Sequence, residues 1–204
     1  MSDGGREERG LEGEIRRAHL AEVDRDIWIA EGPSVPFMTI PYPTRMTIVR
    51  LSNGHLWIWS PIELNSELEK AVDGLGSVEY LVSPNKLHHL YLGQWATTWP
   101  GARLYASPGL ARRRRDLRFD GELSDVAPTE WAGEIDQVVV RGSFAMEEVL
   151  FFHRASRTLL VTDLIQTVEP GQLSRGQRFV MHLDGLLGPK GSTPREWRLS
   201  FWNR

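Results

Sequence analysis

Two stretches of this sequence hold side chains whose types and spacing could do chemistry. The first is Leu81 to Trp95, LVSPNKLHHLYLGQW, in which an apolar run turns at Ser83-Pro84-Asn85 and delivers two adjacent histidines, His88 and His89. Neutral imidazole is the commonest metal ligand and a frequent general acid or base. The second is Thr158 to Asp163, TLLVTD, an apolar run that ends on a carboxylate. Chemistry in α/β proteins collects where strands end, because a rigid sheet holds the loops there. If the two ends face each other, Ser83, Asn85, Lys86, His88, His89 and Asp163 line one cleft. A metal bound there would draw on His88, His89, Asp163 and His182, and would be one divalent ion such as zinc, iron or manganese.

Composition narrows the classes. The 204 residues suit one domain with a sizeable core, 41% of them hydrophobic and 25% charged. A net charge of -3 argues against nucleic acid as partner and leaves a small molecule or a protein. The absence of cysteine removes disulfides, thiolate metal sites and cysteine nucleophiles together. No apolar run approaches the roughly 20 residues of a membrane span. The start, MSDGGREERG, lacks a signal-peptide core, so the expected location is cytoplasmic. Residues 1–20 read as a flexible leader and 21–204 as a single domain.

Several elements must position the two strand ends. Asp26 to Ala30 reads as a strand, and the proline-rich stretch from Gly32 to Pro43 as an extended loop. Arg45 to Ser60 reads as a hairpin about Asn53-Gly54. A two-residue turn there pairs Leu51 with Leu56 and Val49 with Ile58 on one face, and Arg50 with Trp57 and Ile48 with Trp59 on the other. Both faces are then bulky, which places the hairpin inside a layered structure. From Asn65 to Arg118 helix and strand alternate, the signature of a parallel sheet. Ser107-Pro108 reads as the cap and first residue of a helix. Strands follow at Gln137–Arg141, Val149–His153 and Thr158–Asp163, then helices from Ser174 and from Thr193-Pro194. The run Arg112 to Arg115 with Arg118 reads as a solvated face balanced by Asp116, Asp120, Glu122 and Asp125. Neither a nucleophile elbow nor a phosphate-cradling glycine loop is present.

This order, with PNxxHHxxLGxW at Pro84 to Trp95 and a PGLAxRRxDLxFDGEL-like segment at Pro108 to Leu123, resembles the metallo-β-lactamase-like superfamily, in an uncharacterised branch filed as a domain of unknown function. The resemblance implies an α/β fold, a four-layer αββα sandwich with its metal sites along one edge. It also implies losses. Active members carry His-x-His-x-Asp-His after the strand matching Val78 to Val82. Here Ser83 and Asn85 stand at the first two histidines, Leu87 at the aspartate, and only His88 remains. A later histidine is replaced by Ser143, while Asp163 matches the carboxylate that bridges two metals. The last histidine belongs to a further strand, expected to be lacking because the sequence closes at Arg204 in a helical pattern. Zinc hydrolysis needs about three protein ligands and an open position. The inventory therefore points to a degenerate metal site in a binding protein. The alternative is a hydrolase with an unusual mononuclear site.

Overall fold

In the computed structural model, which describes residues 20–37, 40–168, 171, 173–187 and 191–202, the Asn53-Gly54 hairpin lies at the middle of a seven-stranded sheet. The leader at residues 1–20 falls, but for Leu20, outside the described residues. The hairpin strands are β3 (Ile40–Arg50) and β4 (His55–Trp59). On one side lie β1 (Leu20–Asp24) and β2 (Ile27–Phe37), all pairings antiparallel. On the other lie β5 (Ser77–Val82), β6 (Arg103–Ala106) and β7 (Gly121–Glu122), all parallel. Parallel neighbours need crossovers, supplied by α1 (Ser66–Asp73), α2 (Leu92–Thr98) and α3 (Leu110–Arg113). A second, antiparallel sheet has the order β10-β9-β8, from β8 (Ile135–Val140), β9 (Glu148–His153) and β10 (Thr158–Leu160). The helices α4 (Arg175–Asp184) and α5 (Arg195–Ser200) follow.

The hairpin register differs by one residue from the two-residue turn that Asn53-Gly54 suggests. Leu51 N–H donates to His55 O at 2.9 Å and Gly54 N–H to Leu51 O at 2.8 Å, with Gly54 at φ 84°. This is a three-residue loop closed by a left-handed glycine. The pairs are Val49 with Trp57, Arg50 with Leu56, Ile48 with Ile58 and Thr47 with Trp59. A one-residue slip exchanges faces. Val49, Leu51, Trp57 and Trp59 thus meet Tyr80, Trp131, Val149 and Phe151 between the sheets. Ile48, Leu56 and Ile58 pack with Leu68, Val72 and Trp95 under the helices. Layering on both faces holds, but with different partners.

The proline-rich segment is a strand arm, not a loop. β2 and β3 continue through it with Ser34 opposite Pro43 and Pro36 opposite Pro41, after a register shift between Glu31 and Ser34. β1 is described from Leu20, opposite Ala30, so the far part of β2 has no neighbour on that edge among the described residues. A proline there removes no ladder bond that another strand needs. Among the described residues the second sheet has three strands, and Val138, Phe152 and Leu159 on it are exposed.

Trp57 is fully buried and packs edge-on against Phe151 at 5.1 Å and Trp131 at 6.1 Å between ring centroids. Trp57→Ala is expected to lower the unfolding free energy by about 3–5 kcal/mol in denaturant titration. A loss below about 1 kcal/mol would contradict the layer assignment.

Candidate functional site

β5 delivers Ser83 to the edge of the large sheet, buried, with Ser83 N–H donating to Tyr105 O at 3.1 Å. Ser83 Oγ lies 2.9 Å from Asn85 O and 2.7 Å from His88 O, folding the loop back on itself. Asn85 is fully buried, and its Oδ1 accepts from Leu87 N–H at 2.8 Å and His88 N–H at 3.2 Å. Backbone N–H groups can only donate, so the amide oxygen is fixed toward them. Asn85 Nδ2 therefore points across the cleft, donating to Thr162 Oγ1 at 3.0 Å and Asp163 Oδ2 at 2.8 Å. Val149 N–H donates to Pro84 O at 2.9 Å and ties the loop to β9. Behind the loop, Leu92 and Trp95 are buried and Trp95 Nε1 donates to Ile62 O at 2.7 Å, anchoring α2.

The second strand end is held by a residue that the sequence did not single out. Glu148 is 1% exposed and its carboxylate accepts three backbone N–H bonds, from Thr162 at 2.7 Å and from Asp163 and Leu164 at 2.9 Å. Burial pushes the Glu148 carboxyl up, the Thr162 backbone bond draws it back, and the charge of Asp163 adds to the rise. A carboxylate heading an apolar strand was the available signal, since such a group must find donors. Asp163 receives Asn85, His88 Nε2 at 3.3 Å and Gln166 Nε2 at 3.3 Å. Burial alone would raise the Asp163 carboxyl. The bond and charge of His88, with Asn85 and Gln166, outweigh it and hold the group below the usual carboxylate range. Asp163 is thus ionised, and His88 Nε2 carries the proton between them. His88 Nδ1 faces Ser60 Oγ at 2.6 Å. Ser60 follows β4 directly, is 4% exposed, and has a φ of 55°.

The structure brings Ser83, Asn85, His88 and Asp163 together and turns His89 away. Arg114 Nη1 lies 3.1 Å from His89 Nδ1 and donates to His89 O at 2.7 Å. Burial, then the charges of Arg113 and Arg114, lower the His89 pKa. His182 is exposed on α4. Ser143 is engaged by Ser200 Oγ at 2.6 Å and accepts from Met146 N–H at 3.0 Å. Among the described residues no group of three or more histidines and carboxylates is placed to hold a metal. The donor set does not fit a zinc centre either. Asn85 offers a hydrogen where a ligand needs a lone pair, and His88 and Asp163 bond each other.

The arginine run is not balanced as its sequence suggests. Arg114 pairs with Asp116 at 2.7 Å, but Asp120 accepts from Leu104 N–H, Glu122 from Gly109 N–H, and Asp125 pairs with Arg141. Arg113 Nη1 instead donates to Lys86 O at 3.2 Å and Arg115 Nε to Arg112 O at 3.3 Å. No carboxylate pairs with Arg112, Arg113, Arg115 or Lys86 among the described residues. Ser107 is not the helix cap. α3 starts after Gly109 at φ 74°, and Ser107 Oγ is buried without a partner. A Cβ on Gly109 would sit 3.2 Å from Lys86 Nζ and 3.4 Å from an Arg112 Nη, so these two cations flank one point beside the cleft loop. A separate depression at α5, lined by Arg195, Arg198, Leu199 and Phe201, shares no residue with the cleft among the described residues.

Glu148→Ala leaves three N–H groups of the Asp163 turn without their acceptor, and is expected to cost at least about 3 kcal/mol in denaturant titration. A loss below about 1 kcal/mol would contradict that support role. His89, with its lowered pKa, resists a proton that the unfolded chain takes up near pH 6.5. Its contribution to stability is therefore lost as pH falls below that value. His89→Gln is expected to flatten the decline in urea midpoint between about pH 7.5 and 5.5. An unchanged decline would contradict a neutral His89.

The chain matches the family described as "Domain of unknown function (DUF4336)" over residues 25–174. No curated protein matches it in sequence. Among solved structures it is similar to the DIM-1 metallo-β-lactamase exposed to ceftazidime, with TM-score 0.62 and 12% identity over 78% of this chain and 75% of that one. It is also similar to a metallo-β-lactamase from Pontibacter korlensis, with TM-score 0.57 and 13% identity over 89% of this chain and 95% of that one. A third is the metallo-β-lactamase FIM-1 from Pseudomonas aeruginosa in its mono-zinc form, with TM-score 0.58 and 10% identity over 89% and 92%. Identities this low speak to the fold alone. The two facing sheets with helices outside are the αββα sandwich of the metallo-β-lactamases, and the chain belongs to the DUF4336 family.

Proposed function

We propose that this chain is an atypical protein of the metallo-β-lactamase fold whose cleft works without a zinc pair and takes a small anionic molecule. One observation carries the first part. Asn85, at the position of a histidine in metal-binding members, is locked by two backbone donors so that its N–H, not a lone pair, meets Asp163. An amide N–H neutralises part of the carboxylate's field as a cation would, and it occupies the oxygen that a bridging ion needs. The anionic preference is supported by Lys86, Arg112 and Arg113, cations beside the cleft loop with no carboxylate partner among the described residues. Uncompensated charge at a cleft rim raises the local concentration of oppositely charged solutes. A hydrolase with a mononuclear metal has less support, because His89 faces Arg114 and leaves His88 and Asp163 short of a third ligand.

Elemental analysis tests the reading. Protein purified without chelator and dialysed against metal-free buffer is expected to hold well under one zinc, iron or manganese ion per chain. Close to two zinc ions per chain, with an activity lost on chelation, would overturn it. One tightly held ion would favour the mononuclear hydrolase.

A further inference from the structure

The bonds that occupy His88 and Asp163 continue to a third residue. Ser60 Oγ, His88 and Asp163 form an unbroken line, with 2.6 Å from Ser60 Oγ to His88 Nδ1 and 3.3 Å from His88 Nε2 to Asp163 Oδ2. The geometry sets the directions once a tautomer is chosen. With a single ring hydrogen on Nε2, toward Asp163 Oδ2, His88 Nδ1 is a lone pair and the hydroxyl of Ser60 donates to it. A hydroxyl donating to an imidazole whose far nitrogen is held by a partly buried carboxylate is the arrangement that activates a serine nucleophile. The ring is reversed relative to the chymotrypsin-type triad, Nδ1 rather than Nε2 facing the serine, but the proton path is equivalent.

A second observation concerns the backbone of Ser60, which shares a left-handed φ with Asp26 and Arg157 but alone of the three faces the cleft. It has a φ of 55°, in the left-handed region that side-chain-bearing residues adopt rarely, and it stands directly at the end of strand β4 before Pro61. Its N–H is fixed to Val82 O at 2.9 Å, so the surrounding strands enforce the conformation. Residues held this way cluster where a side chain must be aimed, as at the strand-to-turn nucleophiles of other hydrolases. The His88 side chain is 26% exposed and Asp163 16%, so the line meets solvent at its imidazole.

We propose that Ser60, His88 and Asp163 form a metal-independent acyl-transfer site for carboxylic esters or thioesters. The proposal rests on the metal-free cleft above, whose small anionic ligand would then be one that carries such a bond. Ser60 Oγ attacks the acyl carbon while its proton passes to His88 Nδ1. The bond to the leaving alcohol or thiol breaks, and that group departs with the proton from His88. Water then attacks the acyl-serine, gives a proton to His88 and releases the carboxylic acid, and Ser60 recovers its hydrogen. The sum is ester plus water to acid plus alcohol, with no oxidant or metal. Asp163 does not touch the acyl group. It orients the ring and stabilises the imidazolium, and is a positioning residue.

The full chain, with chelator present, is treated with a fluorophosphonate probe and assayed on p-nitrophenyl acetate. The expected results are one label per chain, mapped to the peptide holding Ser60, and ester turnover that the label abolishes. Ser60→Gly, which suits the backbone conformation and so keeps the fold, loses both. His88→Ala slows labelling by about 100-fold or more, and added imidazole restores part of the rate. Asp163→Asn lowers the maximal labelling rate without weakening probe binding. Absence of label on folded, metal-free protein overturns the acyl-transfer site and leaves the metal-free cleft standing. Turnover that survives Ser60→Gly but not His88→Ala removes Ser60 as nucleophile. Label or turnover that appears only with added zinc overturns both readings.

Discussion

The cleft depends on how the Asn85 side chain is held. Its oxygen takes the N–H groups of Leu87 and His88, and its nitrogen gives to Thr162 and Asp163, so one buried amide ties the end of the large sheet to the end of the small one. Every polar atom of the amide has a partner. A buried network of that kind is stable when complete and costly when broken, because each member left alone has been taken out of water. The orientation also decides the chemistry. It turns a donor toward Asp163 and leaves His88 to settle its two nitrogens between a carboxylate and a hydroxyl.

The rest of the molecule brings these two ends within reach of each other. Trp57 and Trp59 share the inner face with Val49 and Leu51 because the hairpin loop has three residues; a two-residue loop would have put them on the face of Ile48 and Arg50. Trp131 lies against Trp57, Tyr80 and Tyr105, filling the space between the layers from the other side. The spacing so fixed is inherited by the loops. Val149 N–H reaches Pro84 O, and Glu148, at the start of the same strand, gathers the three N–H groups around Asp163. A buried carboxylate kept beside Asp163 works against its own ionisation, and the three backbone donors are what offsets that cost.

Part of this was legible in the sequence. The approach of Asn85 and His88 to Asp163 followed from chain order, because strand ends on one edge of an αββα sandwich converge. The alternation of helix and strand from Asn65 onward gave the parallel half of the sheet. The hairpin at Asn53-Gly54 was legible but its register was not, since a left-handed glycine suits both a two-residue turn and a three-residue loop. The prolines between Gly32 and Pro43 argued for a loop, and they are tolerated in strands where β2, beyond Ala30, has no further partner among the described residues. Charge pairing was the least legible: Asp120, Glu122 and Asp125 lie near the arginines in sequence, yet they bond to backbone or to Arg141. Ser60 carried no motif. Its relation to His88 is a contact across 28 positions, and its backbone angle is a property of three dimensions.

The proton positions on His88 test the account most directly, because they differ between a hydrogen-bonded cleft and a metal site. Nitrogen-15 spectra of the imidazole side chains, recorded at neutral pH with and without a molar equivalent of zinc, would read them. The account predicts a His88 ring protonated on Nε2, an unprotonated Nδ1 that accepts a hydrogen bond, and no change on adding zinc. A His88 Nε2 that loses its proton and takes on the shift of a metal-bound nitrogen would contradict it.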